Sequence, residues 1–387
     1  MTDETGRTGL VDLIRNRIDN DTFEGKYNSS IRKRIIFILI LIVVSFFAIS
    51  LGICLGSVDI PFDDVLKTFF HPLLPDLVSE PSKWYYSKYI FEGRLPRAIL
   101  VIFTGFSLGI SGMIMQGLLR NPLVSPFTLG VSTAASFGAA MAIVIGPLVF
   151  GSSVDFYITL VGSNFSFEDL LMIVFAFLAA MCSIGIVLLL GRGKNVSRSS
   201  VILSGVVISY LFQAGIMAAK YFSDDDQLRE ITIWIMGSMN RASWAVDLVL
   251  LPIVLICSLL LIKMSMDLNA LSAGDDLAQS LGVNVDKLRR NGMIICTMLT
   301  SACLAFTGVI GFIGLMAPHL SRMVIGNDSR YLLHASGLMG ITILSVSDLF
   351  CRMIIRPGEL PVSIVLYIVG GIFFIWMMAN RKWSNRL

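Results

Sequence analysis

Charged side chains are scarce in this 387-residue chain: Asp, Glu, Lys and Arg make up 15% of it, against about 25% in a soluble domain, while 55% is hydrophobic. That balance excludes an extended soluble domain. The formal charge of +3 is spread without a basic stripe, which excludes nucleic acid as a partner. Histidine occurs three times, as His71, His319 and His334. No carboxylate stands three or four residues from either of the last two, so no metal site is expected; an interfacial structural role, with both toward the inner ends of their helices, is. The six cysteines (Cys54, Cys182, Cys257, Cys296, Cys303, Cys351) stand singly, without zinc or redox spacing, and read as small apolar packing residues. Gly191-Arg-Gly-Lys194 lacks the spacing of a phosphate loop, so the chain carries no ATPase of its own, and no small polar cluster suggests a catalytic residue.

What is abundant is long apolar runs. They predict an all-α polytopic membrane protein, with spans at Ile35–Gly56, Pro96–Leu119, Phe127–Leu148, Leu170–Leu190, Val201–Tyr221, Val246–Met264, Leu332–Phe350, Pro361–Met378 and one long run, Gly292–Ile325. At 1.5 Å per residue the long run would reach about 51 Å, too much for one crossing of a layer about 30 Å thick. Splitting it near Gly311 gives ten spans and puts Arg32-Lys33-Arg34 and Arg381-Lys382 on one face, as the positive-inside rule requires. The expected layout is a cytoplasmic tail 1–34, a transmembrane domain 35–378 with an extracytoplasmic segment 57–93 and a cytoplasmic segment 268–290, and a cytoplasmic tail 379–387, in the cell membrane. Asp224-Asp225-Asp226 then falls outside. The first run is longer than a signal-peptide core and is expected to stay as a helix. Leu10, Val11, Leu13, Ile14 and Ile18 permit an interfacial helix in the first tail; a disordered tail fits equally.

Gly311, Gly314 and Pro318 suggest broken helices, although small residues also serve close packing. Ser111-Gly112 with Leu119, Pro122 and Ser125 recurs at constant offset as Thr307-Gly308 with Leu315, Pro318 and Ser321, which would be an inverted repeat.

On the outer face, Arg94-Leu-Pro-Arg97, Arg352 and Arg356 run against the positive-inside trend. A carboxylate-bearing partner or lipid phosphates would each account for them. Asp348, four residues before Arg352, reads as a local ion pair orienting that arginine. In the cytoplasmic segment, Ser272 is expected to cap a short helix with Asp275 and Asp276 in its first turn and Leu277 and Leu281 on one face, and a second short helix follows Asn284. Such a pair suits docking of a soluble partner, or a hairpin at the lipid interface.

Together, Arg94-Leu-Pro-Arg97, Ser111-Gly-Met-Ile-Met-Gln116, Arg120-Asn-Pro-Leu123, Leu129-Gly-Val-Ser132, Leu268-Asn-Ala-Leu-Ser272, Gly311-Phe-Ile-Gly-Leu315 with Pro318-His319, and Glu359-Leu-Pro-Val362 resemble the permease subunits of type II ATP-binding-cassette importers for iron–siderophores, haem and cobalamin. The resemblance runs from Ile35 to Met378. It implies an inverted-repeat permease fold and a homodimer of ten-helix subunits, with two cytoplasmic ATPases, one extracytoplasmic binding protein and membrane lipid as partners. It implies that Arg94, Arg97 and Arg352 contact acidic residues of the binding protein, and that Leu268, Asn269, Ala270, Leu271, Ser272, Gly274, Asp275, Leu281 and Gly282 couple to the ATPase. ATP and Mg would then bind on the ATPase, with no cofactor and no metal on this chain. Gly370-Gly371-Ile372, Thr133, and Asp328-Ser329-Arg330 with His334 depart from the family pattern, and the first two bear on substrate rather than fold. The expected cargo is an iron chelate, with cobalamin as the alternative. An ion-coupled secondary transporter is the alternative of another class, and it would need buried carboxylates at the midplane, which the sequence lacks.

Overall fold

The computed structural model describes residues 23–56, 58–150, 157–160, 162–191 and 198–379. The helical possibility at Leu10–Ile18, the Arg192–Lys194 stretch and Arg381-Lys382 lie outside them. Helix α1 (Phe23–Cys54) starts three turns ahead of the apolar run, so residues 23–34 of the expected tail are helical. Two short helices, α2 (Phe62–Phe70) and α3 (Trp84–Lys88), fold the outer segment, and a π-helical turn over Tyr89–Arg94 leads straight into α4 (Leu95–Leu119).

A 3-10 turn at Pro126–Leu129 starts α5 (Val131–Phe150), followed by α6 (Phe167–Leu190) and α7 (Arg198–Phe222). Between α5 and α6, β1 (Tyr157–Leu160) pairs antiparallel with β2 (Ser163–Ser166), a small exception to an otherwise all-α chain. After α7 comes α8 (Asp225–Met236), which the sequence reading missed because it is only 12 residues long and polar at its start. Asp224 caps it and Gln227 returns the bond, so the acidic triplet is a helix N-terminus.

Next are α9 (Trp244–Lys263), α10 (Ser265–Ala273), α11 (Asp275–Ser280), α12 (Val285–Thr307), α13 (Ile313–Ile325), α14 (Ser329–Ile354) and α15 (Val362–Ala379). Eight of these helices are long and apolar enough to cross a membrane; α12, charged in its first turns, and the short α13 make up the ten predicted places. The long run does split. Its break spans residues 308–312, with Gly308 and Phe312 at positive φ, whereas Pro318 sits inside α13. Phe312 is held in this unfavourable conformation because its ring lies on α15 against Gly370, where a Cβ would collide with it. Gly370 therefore has a packing reason for departing from the family pattern.

Helix α4 is the centre of the bundle, touching α14, α12, α13 and α9. Gly105 and Gly109 bring its backbone against Gly340 and Ser336 of α14, and Gly112 against Gly314 of α13, approaches that no Cβ would allow. The sequence echo falls on unlike places in the helices: Ser111-Gly112 lies within α4, Thr307-Gly308 at the end of α12.

Candidate functional sites at the two membrane faces

At one face of the bundle, expected to be the outer one, the structure brings the three expected arginines together and turns them inward. Arg94, closing the π-helical turn, donates to the carbonyl of Cys54 at 2.8 Å and to those of Ile53 and Val58. Arg97, in the first turn of α4, holds Asp348 at 2.7 Å and Glu359 at 2.8 Å, and reaches Asn240 at 3.2 Å. Arg352, near the end of α14, donates to Gly52 at 3.0 Å and to Leu55, and pairs with Asp348 at 3.1 Å. The local Asp348–Arg352 pair read from the sequence is present, yet the shorter bond of Asp348 goes to Arg97, 251 positions away.

Side-chain exposure is 14% for Arg97 and 7% for Arg352, so neither guanidinium is freely offered to solvent. Among the described residues Arg94 bonds carbonyls and no carboxylate, and the nearby Asp59 acts on it through charge alone. Arg356 pairs with Asp59 at 2.8 Å, and that hydrogen bond holds the Asp59 carboxyl below its ordinary range. Beside the cluster a cavity of about 320 Å³ is lined by Arg229, Glu230 and Trp234 of α8, by Asn240 and Arg241, and by Thr307.

At the other end of α4, the face expected to be the inner one, α10 and α11 form the helix pair, with two corrections to the expected capping. Ser272 lies inside α10, its hydroxyl donating to the Asn269 carbonyl at 2.7 Å, and α11 begins after Gly274 without a side-chain cap. Asn284 caps the long α12, accepting from the Lys287 amide at 3.0 Å, so no second short helix follows it. The joint between α10 and α11 is Gly274 at φ 141°, and Gly282 has φ 86°.

Leu268 and Leu271 are buried under the bundle, Leu268 next to Gly117, and Ala270 is half-buried. Leu277 and Leu281 remain 48% and 65% exposed. Asp275 gathers three arginines: Arg198 and Arg289 at 2.7 Å and Arg120 at 3.2 Å. One carboxylate thus ties α11 to the starts of α7 and α12 and the end of α4. Burial pulls this carboxyl up, but the bonds from Arg198 and Arg289 and their charges outweigh it and hold Asp275 below the ordinary carboxylate range.

Asn269 makes the second tie. Its amide donates to Asp328 at 2.9 Å and accepts from the Ser329 amide at 2.7 Å. Asp328 also pairs with Arg34 at 2.7 Å and Arg330 at 2.8 Å. The Arg330 bond, helped by Asn269, overrides burial and holds Asp328 well below the carboxylate range. Arg120, Arg198, Arg289 and Arg34 were not read as partners from the sequence, since the pairings span up to 294 positions. The motif position of Arg120 was the one available signal.

The remaining sequence candidates are structural here. His319 is buried in α13, its ring 5.9 Å from Phe373 and 6.2 Å from Phe374. His334 bonds the Arg330 carbonyl and His71 that of Val78. A buried carboxylate, unexpected from the sequence, occurs at Asp247, and both its oxygens lack a hydrogen-bond partner among the described residues. It lies in the opening turns of α9, not at the midplane.

With this geometry in hand, the FecCD transport family matches residues 39–380. The chain belongs to that family. This FecCD-family chain is 35% identical to the hemin transport system permease protein of Yersinia pestis over 75% of its own length and 82% of that protein. It is 32% identical to the vitamin B12 import system permease protein of Vibrio vulnificus, over 88% and 93%. It is 30% identical to the Fe(3+) dicitrate transport system permease protein of Escherichia coli, over 82% and 92%. Among solved structures, an inward-facing metal-chelate type ABC transporter matches with a TM-score of 0.72 and 28% identity, over 87% of this chain and 96% of that one. The resemblance drawn from motifs therefore holds at the level of family and fold, and the FecCD-family chain is a multi-pass membrane protein.

Proposed function

We propose that this chain is the membrane-spanning permease of an ATP-driven, binding-protein-dependent importer, and that its cargo is a metal chelate, an iron–siderophore or related iron complex. The observation that carries the reading is the inner helix pair: Leu277 and Leu281 are presented outward on a helix that Asp275 ties to three others. A rigid, apolar, cytoplasmic contact suits a partner that pushes.

In this reading two copies of the chain surround the path, each with an ATPase under α10 and α11, and one extracytoplasmic binding protein docks on the side of Arg94, Arg97 and Arg352. ATP and Mg bind on the ATPases and no cofactor binds here. Closure of the ATPases displaces α11, and the Asp275 ties pass that displacement to α4, α7 and α12, rocking the subunits between outward-open and inward-open states. Both termini lie in the cytoplasm. The retracted outer arginines act as a positive field and a positioning frame, with Arg94 the least compensated of them.

The test is gentle purification from the native membrane with mass spectrometry of what accompanies the chain in stoichiometric amount. A P-loop ATPase at one copy per permease is expected; a chain that purifies alone and still transports in ATP-free vesicles would sink the reading. The vitamin B12 relative supports cobalamin as a second cargo. Uptake of labelled ferric chelate against labelled cobalamin separates the two.

A further inference from the structure

Within the outer segment, α2 carries an apolar ridge that the importer reading does not use. Phe62, Leu66 and Phe70 recur every four residues within one arc and are exposed, and Leu73 and Leu77 in the turns after the helix are exposed as well. Leu77 is 81% exposed and Trp84, at the start of α3, 84%. The other side of α2 is occupied: Val65 and Thr68 are buried, and the Asp64 carboxylate accepts from the Ser82 amide at 2.9 Å and hydroxyl at 2.8 Å. Asp63 pairs with Lys67 on the remaining polar side. Apolar exposure of this extent calls for a cover.

We propose that α2, with the turn after it and Trp84, lies in the headgroup boundary of the outer leaflet as an amphipathic anchor. Its depth is set by its neighbours. Ile60 and Val65 pack in one small core with Ile53, Cys54, Tyr86 and Ile90, at the ends of the membrane-spanning α1 and α4. Arg94 bonds the carbonyls of Cys54 and Val58, tying the approach to α2 to the end of α1. The ridge is thus held beside α1, whose own exposed side chains Phe46, Phe47 and Leu51 are apolar. Trp84, Tyr85 and Tyr89 make edge contacts with one another, with Lys83 over the Tyr85 ring, the aromatic and cationic composition of a membrane interface. A carrier that docks and leaves in each cycle suits the charged cluster nearby; a permanently wet Phe and Leu ridge suits lipid. The inference rests on the proposed orientation only for which leaflet is meant.

The test places one new tryptophan at a time, Leu66→Trp, Leu73→Trp, and Phe47→Trp on the exposed side of α1, in the full chain reconstituted into phosphatidylcholine and phosphatidylglycerol vesicles. The added fluorescence, taken as a difference from the unsubstituted chain, is read with lipids brominated near the glycerol end and with iodide. At Leu66→Trp and Leu73→Trp the added emission is expected to be blue-shifted, to fall by about half in brominated lipid and to resist iodide, as for a ring at the acyl boundary. Quenching by iodide without quenching by bromolipid overturns the anchor while Phe47→Trp still responds to lipid. Protection from iodide that appears only on adding a binding protein also overturns it, in favour of docking. Failure at Phe47→Trp as well removes the bilayer placement and the anchor with it.

Discussion

At the outer face three arginines reach inward to two carboxylates and a set of backbone carbonyls, and what is left at the surface is a field with little exposed guanidinium. At the inner face one carboxylate, Asp275, collects three arginines and leaves two leucines standing clear of it. Both regions use ion pairs to staple helix ends where the bilayer stops and water begins. Arginine outnumbers carboxylate in both, so the difference lies in what stands beside the pairs: at the first a guanidinium held by backbone carbonyls, that of Arg94, and at the second two exposed leucines. A partner that must release suits the first, and one that stays bound through many cycles suits the second.

The largest effect is expected from Asp348→Ala. It leaves Arg97 with Glu359 as its one carboxylate and Arg352 with backbone carbonyls only, both in a buried setting, and removing one partner of a buried pair typically costs about 3 to 5 kcal/mol. A thermal melt in detergent should show a large drop; an unchanged melt would mean that these arginines swing out to solvent freely, which erases the contrast between the faces.

Gly274→Pro comes next. Proline requires φ near −65°, and position 274 stands at 141°, so the joint between α10 and α11 must rebuild. Transport per ATP hydrolysed in the reconstituted complex should fall roughly tenfold, the size of an ordinary coupling free energy. Full coupling in this variant would remove the inner segment from the transmission path.

A sharper probe of the apolar surface is Leu277→Asp with Leu281→Asp. Both side chains are exposed, so the melt should move little, by about 0.5 kcal/mol or less per site. Retention of the ATPase on the purified permease should drop by roughly tenfold or more, as for loss of an interface anchor. Equal retention would assign these leucines to lipid.

The smallest effect is in pH. Asp275 has a depressed folded value, so its contribution is fully present above the unfolded value of about 3.9 and is lost as pH falls through the lower folded one. The melting difference between the unsubstituted chain and Asp275→Asn should therefore be flat from about pH 8 to pH 5 and shrink only below about pH 4. A difference that changes near neutral pH would contradict the three-arginine environment.

Much of the fold was legible residue by residue. The spans, the division of the long run and the exposed face of Leu277 and Leu281 follow from hydropathy and helical spacing, which are properties of neighbours along the chain. Element ends were less legible. Ser272 has the chemistry of a cap and sits within α10, because Gly274 makes the turn; α8 and the β1–β2 hairpin are too short to show a period. The three outer arginines were recognisable as a set, but their inward direction was not, since Asp348 and Glu359 are more than 250 positions from Arg97.

By itself the sequence determined that this is a bilayer protein built on long apolar helices, with polar groups concentrated at their ends, because burying a charge in hydrocarbon costs so much that hydropathy alone sorts one from the other. Only the tertiary structure decided how those polar groups pair. Ion pairs and glycine contacts such as Asp275 with Arg120, Arg198 and Arg289, or Gly112 against Gly314, join residues far apart in the chain, and their geometry exists only once the helices have packed.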